Sequence, residues 1–160
     1  MTATTHATGP RIGDMAPEFS LPSTAGTDVV LSSFRDKQSV LLAFFPLAFT
    51  STCTAEVCAF SEDFDKFAAT GTRVLPISVD SVPTLKEFKA KLGIKVEMLS
   101  DFKRETSRAY GTLQEATFYS NRAYFLIDRA GRLRWAHLEK DNRQRRDDAE
   151  LLRQIEALGA

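Results

Sequence analysis

The 160-residue chain has no surplus of charge: 21 lysines and arginines stand against 21 aspartates and glutamates, a formal net charge of zero at pH 7. Nucleic-acid binders draw affinity from clustered Lys and Arg on phosphates, so nucleic acid is not an expected partner. Long hydrophobic runs are also missing. The longest, 40–49, is about half of the ~20 residues a membrane-crossing helix needs, and Pro46 interrupts it. The opening MTATTHATGPRIGD lacks the basic and apolar regions of a secretory leader. It reads as a flexible arm over 1–11, followed by a single domain over 12–160. With two cysteines and two histidines, His6 and His137, the chain has neither a disulfide framework nor the close ligand spacing of a zinc motif, so no metal is expected. No phosphate-binding glycine loop or dinucleotide fingerprint is present. Two cysteines without an export signal make the reducing cytoplasm the expected address, where paired cysteines suggest catalysis before structural bridging.

What is there is an ordinary core: 43% of residues are hydrophobic and 12 are phenylalanine, and at this length a domain buries roughly two thirds of its unfolded surface without staples. Segments 18–21 and 28–31 read as a hairpin around the small, polar turn Ser23 to Gly26. Segment 39–45, SVLLAFF, is a continuous apolar run of the kind covered on both faces of a sheet, and Pro46 ends it. Val57, Phe60, Phe64 and Phe67 recur at spacings of three and four, predicting one helix over about 51–70 with Gly71 as its cap. A strand at 72–79, a helix at 84–92 stopped by Gly93, a short strand at 96–100 and a helix at 103–110 follow. Segments 123–127 and 133–137 flank the turn Asp128-Arg129-Ala130-Gly131, and 147–158 forms the last helix. The expected fold is α/β, a mixed central β-sheet flanked by helices with an N-terminal β-hairpin. The order suits a thioredoxin-like fold, with flavodoxin-like folds as competitors.

The chemistry concentrates in FPLAFTSTCTAEVCAF, 45–60, where a buried strand passes through proline and three hydroxyl residues into a helix carrying Cys53 on its first turn. Unpaired N–H groups and the positive end of the macrodipole favour an anion there. Reactive thiols in such settings ionise well below the usual ~8.5. One of Thr50, Ser51 and Thr52 is expected to cap the helix, leaving another for a thiolate or an incoming oxygen. By spacing alone Cys53 is equally a small core residue, since it shares a face with Val57, Phe60 and Phe64.

The run Pro46-Leu-Ala-Phe-Thr50-Ser-Thr-Cys53 resembles the P-x-x-x-T/S-x-x-C active-site loop of the peroxiredoxins. Asn121 to Asp128, NRAYFLID, is similar to the family's arginine followed by a strand ending in F-x-I-D, and Gly13 to Phe19, GDMAPEF, resembles its G-x-x-A-P-x-F opening. FFPLAFT most resembles the AhpE-like subgroup, whereas Cys58, five positions after Cys53, is similar to the bacterioferritin-comigratory arrangement. The resemblance spans about residue 12 to the last helix. It implies a thioredoxin-like peroxidase in which Cys53 is the peroxidatic cysteine, Thr50 its hydroxyl partner, Pro46 the shield of the site and Arg122 the cation beside the thiolate. No metal, haem or flavin is implied. Glu56, one turn on, would repel a thiolate and is expected instead to pair with Arg122.

Cys58 is the expected resolving thiol. Residues five apart in a helix have Cα atoms roughly 8.6 Å apart, beyond the ~6.8 Å a disulfide spans. The bond therefore requires the turns from Cys53 to Cys58 to unwind, and spacing points Cys58 away from the apolar stripe, among Thr54, Ser61 and Asp65. The alternatives are a one-cysteine cycle resolved by an external thiol and a redox-sensing binding module without turnover. A thioredoxin-type reductase would want C-x-x-C instead. Phe44, Phe45, Leu47 and Phe49 could form an apolar wall favouring organic hydroperoxides, with Phe45 and Phe49 as substrate contacts, or a seam between two subunits of a homodimer. The expected reductant is a thioredoxin- or glutaredoxin-like dithiol protein. RQRRDD, 143–148, reads as a solvated face with a cap in preference to a docking patch, and Trp135 as a sheet-edge residue.

Overall fold

The computed structural model describes residues 9–159, so positions 1–8 of the expected arm, His6 among them, lie outside the described residues. A hairpin of β1 (Ser20–Pro22) and β2 (Asp28–Val30) leads through a 3-10 turn, Leu31–Phe34, into β3 (Ser39–Phe44). Then come α1 (Ser51–Glu62), α2 (Phe64–Ala69), β4 (Thr72–Ser78), α3 (Val82–Leu92), β5 (Leu99–Ser100) and α4 (Glu105–Ala109). A small pair, β6 (Leu113–Gln114) and β7 (Tyr119–Ser120), precedes the long hairpin β8 (Ala123–Ile127) and β9 (Leu133–Leu138), and α5 (Asp148–Ala157) closes the chain.

Five strands form the central sheet in the order β5-β4-β3-β8-β9. β3 runs parallel to β4, Ser39 opposite Thr72 through Phe44 opposite Ile77, and antiparallel to β8, Val40 opposite Ile127 through Phe44 opposite Ala123. Every residue of β3 is buried because it lies mid-sheet with cover on both faces, and its alternation splits the core in two. Val40, Leu42 and Phe44 join Phe19, Leu31, Tyr110 and Phe125 beneath the N-terminal hairpin. Leu41, Ala43 and Phe45 pack with Cys53, Val57 and Phe60 of α1, Phe88 of α3, and Leu151 and Ile155 of α5. That second layer suspends the start of α1 over the carboxyl ends of β3 and β4. Asp80 ties the two ends together, accepting from the Ala48 N–H at 2.8 Å and the Ser78 hydroxyl at 2.7 Å.

Several expectations need correction. The helix foreseen over 51–70 breaks at Asp63 into α1 and α2. Asp63 caps the first piece, with its N–H on the Ala59 carbonyl, and its own carbonyl opens the second by accepting from Phe67. The break turns Phe64 outward to 38% exposure, whereas Phe60 and Phe67 stay buried. Only Leu99–Ser100 of the strand foreseen at 96–100 is laddered, because Met98 spends its N–H and C=O on the side chain and main chain of Thr24 in the β1–β2 turn. The 3-10 turn and the β6–β7 pair carried no hydrophobic period that would have announced them. RQRRDD is only partly a solvated face: Asp147 caps α5 through the Glu150 N–H at 2.9 Å, but Asp148 is buried and Arg146 pairs with the buried Glu139. Among the described residues no helix is long and apolar enough to cross a membrane.

Candidate active site

Cys53 sits on the first turn of α1 and is 1% exposed. Arg122 precedes β8, whose antiparallel pairing with β3 carries it to the same end of the sheet. Its Nη2 donates to Cys53 Sγ at 3.0 Å and its Nη1 to Glu56 Oε1 at 2.8 Å. Arg122 and Glu56 are as buried as the sulfur, and an ion pair in such a setting persists only when its remaining hydrogen bonds are met. Here they are. Asn142 offers its carbonyl to Arg122 Nε and Nη2, each at 3.2 Å, and the Tyr124 hydroxyl donates to Glu56 Oε2. Burial alone would lower the basicity of Arg122, but Glu56 and the Cys53 sulfur outweigh it and hold the guanidinium more firmly protonated. Burial pushes the Glu56 carboxyl up from its ordinary range, against Arg122 and the Tyr124 hydroxyl. The Tyr124 hydroxyl is raised by burial and by Glu56, so it stays a donor.

The helix N-terminus is arranged differently from the sequence expectation. Thr50 is the N-cap residue, yet no side chain caps α1. The Thr50 hydroxyl donates instead to the Leu47 carbonyl at 2.8 Å, and Thr52 reaches the Arg143 carbonyl at 3.4 Å. The first-turn N–H groups are thus left without a side-chain acceptor, and Thr50 Oγ1, its proton committed, keeps its lone pairs as an acceptor on an exposed residue. Pro46 is buried under this loop.

The family model described as AhpC/TSA family matches residues 12–136. The chain belongs to the AhpC/TSA family. This peroxiredoxin is 35% identical over 131 residues to alkyl hydroperoxide reductase E of Mycobacterium tuberculosis (strain ATCC 25618 / H37Rv), covering 81% of this chain and 86% of that one. It is 34% identical over 129 residues to peroxiredoxin Bcp of Escherichia coli (strain K12), covering 77% and 82%. Among solved structures, that of the reduced 2-Cys peroxiredoxin of Plasmodium vivax superposes with a TM-score of 0.87 at 32% identity, covering 94% of this chain and 83% of that one. The peroxiredoxin family, the thioredoxin-like fold and the peroxidase class are accordingly established.

Other foreseen residues of the peroxiredoxin fall elsewhere. Phe45 is fully buried in the core beneath α1, as buried as Cys53. Its neighbour Phe49 is half exposed, in a left-handed backbone conformation (φ 66°) with its ring edge-on to Phe88 at 5.0 Å. Cys58 is a free thiol like Cys53, and half-buried. Burial, and then the charge of Glu62, push its thiol up. Sequence reasoning missed Tyr124 and Asn142. Tyr124 lay inside the matched NRAYFLID segment, two positions after Arg122 and therefore on the same face of the strand as Arg122; Asn142 lay in a loop with no signal at all. A cavity of about 390 Å³ lined by Phe60, Phe64, Phe67, Arg73 and Lys95 sits at the far end of α1, away from the sulfur.

Proposed function

We propose that this peroxiredoxin reduces hydroperoxides, hydrogen peroxide or organic hydroperoxides, through the Cys53 thiolate. The supporting observation is the buried guanidinium of Arg122 at 3.0 Å from Cys53 Sγ, on a helix terminus that no side chain caps. The sulfur attacks one peroxide oxygen and the O–O bond breaks. The departing oxygen, gaining negative charge, is stabilised by Arg122 and the first-turn N–H groups, leaves as hydroxide or alkoxide and takes a proton from solvent water to give water or an alcohol. Thr50 Oγ1 accepts a hydrogen bond from the peroxide, Glu56 holds Arg122, Pro46 screens the sulfur from bulk water and Phe49 contacts an organic substituent. Cys53 is left as a sulfenic acid.

Cys58 then attacks that sulfur, expelling water and forming an intramolecular disulfide. Two free thiols separated by a helical turn and a half cannot meet without opening α1, so unwinding of its first turns belongs to the cycle. The raised thiol of Cys58 keeps it protonated and unreactive until that opening exposes it. A thioredoxin- or glutaredoxin-like dithiol protein reduces the disulfide, in a cytoplasmic setting, with residues 12–160 acting as one domain that can pair as a homodimer. The test is intact mass under denaturing, non-reducing conditions after one equivalent of peroxide. Loss of two hydrogens within the monomer supports this reading, gain of one oxygen points to a one-cysteine cycle, and no change removes Cys53 as the peroxidatic thiol.

A further inference from the structure

The segment between β9 and α5 grips Arg122 at both its main chain and its side chain. Asn142 Oδ1 accepts the Arg122 main-chain N–H at 2.9 Å, and the Asn142 carbonyl accepts from Nε and Nη2 at 3.2 Å each. The Arg122 carbonyl in turn accepts from the Glu139 N–H at 2.9 Å. The segment is anchored at its own ends. The buried carboxylate of Glu139 takes the Arg146 guanidinium at 2.6 Å, the Arg146 N–H donates to the Tyr124 hydroxyl at 3.0 Å, and Thr52 of α1 reaches the Arg143 carbonyl.

A guanidinium is a rigid planar fork. Its Nη2 divides its two hydrogens between the Cys53 sulfur and the Asn142 carbonyl, while Nη1 faces Glu56. Glu56 fixes one tine. Only when Nε and Nη2 are also held is the plane set so that the remaining hydrogen meets the sulfur. We propose that Asn142 is a positioning residue for peroxide reduction: its side-chain Oδ1, bound to the Arg122 main-chain N–H, holds its own main-chain carbonyl against Nε and Nη2 and so sets the angle at which Arg122 serves the Cys53 sulfur and the departing oxygen. Asn142 acts through Arg122 and does not contact the sulfur, so the inference rests on the roles proposed above for Cys53 and Arg122.

The experiment is the second-order rate constant for loss of the Cys53 thiol on mixing the reduced protein with hydrogen peroxide, followed across pH and taken at its pH-independent plateau. Wild type, Asn142→Ala, Arg122→Lys and the double variant are compared, with thermal midpoints recorded alongside. A misplacement of about 1 Å can cost on the order of 10²-fold, so Asn142→Ala is expected to slow the reaction roughly 10- to 100-fold. The double variant should fall within about threefold of Arg122→Lys, since residues acting through one another are not additive. Asn142→Asp keeps the acceptor of the main-chain N–H and should be faster than Asn142→Ala at the plateau, where its added charge no longer alters the thiolate population. Asn142→Ser, too short to reach Arg122, answers in its place if Asn142→Ala does not fold. A wild-type rate in Asn142→Ala, whatever its thermal midpoint, overturns the proposal, as does a double variant in which the two losses multiply. A wild-type protein that does not react overturns the proposed function and this inference together, whereas a reactive wild type matched by Asn142→Ala removes this inference alone.

Discussion

Cys53 and Cys58 lie on one helix, and their surroundings differ. At Cys53 a buried guanidinium meets the sulfur and no side chain competes for the helix N-terminus. At Cys58 burial and the Glu62 carboxylate favour the neutral thiol. The helix by itself does not make this difference. It comes from β8 and the 139–147 segment, which deliver Arg122, Tyr124 and Asn142 to one end of α1 and nothing comparable to the other thiol. One thiol faces a buried guanidinium, and the other, about a turn and a half further on, is held neutral.

The largest break in that contrast is expected from Arg122→Ala. Removing a group that stabilises developing charge costs on the order of 10²–10³-fold in rate, and Glu56 is left as an unpaired buried charge. A loss below tenfold in stopped-flow oxidation would mean that the contrast arises in the helix after all. Glu56→Gln is next: it keeps the shape but removes the charge facing Arg122, and is expected to cost about 1.5–3 kcal/mol in denaturant unfolding together with a measurable fall in peroxidation rate. An unchanged rate would show that Arg122 needs no carboxylate to hold it.

The far end of α1 offers a pH test. Asp148, buried at the start of α5, is pushed up to about 7 by burial and by facing Asp63 at the α1–α2 break. Its folded-state value lies above the unfolded one, so the stability it contributes is full below about pH 4 and is lost as pH rises through about 7. Asp148→Asn should therefore leave the thermal midpoint nearly flat from pH 6 to 8, where wild type declines, with a difference of about 1 kcal/mol, or roughly 2–4 °C, at pH 8. Parallel curves for the two proteins would mean that the carboxyl pair is not titrating. The smallest effect concerns Cys58→Ser, for which the first oxidation of Cys53 should change by no more than about twofold because the two sites share no partner, while the product becomes a sulfenic or higher acid instead of a disulfide. A large slowing of that first step would erase the distinction between the two thiols.

Much of this was readable along the chain because it depends on local order. SVLLAFF is apolar at every position and becomes the central strand, and the proline and three hydroxyls before Cys53 put it on a first helical turn. The NRAYFLID segment placed Arg122 at a strand start. The break at Asp63 was not readable, since Val57, Phe60, Phe64 and Phe67 keep helical spacing straight through it, yet Phe64 is turned out to the surface. The burial of Phe45 was not readable for a related reason: an apolar residue beside a site has the same letter whether it lines the surface or lies beneath it.

The amino-acid order by itself determined the strand–helix alternation, the thiol on a first helical turn and the residue types of the site, because propensity and periodicity act over a few neighbours. Tertiary structure alone decided which donors meet which acceptors. Arg122 and Glu56 are 66 positions apart, and Asn142 sits in a loop without any pattern. Their meeting depends on the antiparallel register of β8 against β3 and on the path from β9 to α5, and a buried charge selects its partners by angstrom distances that no sequence spacing encodes.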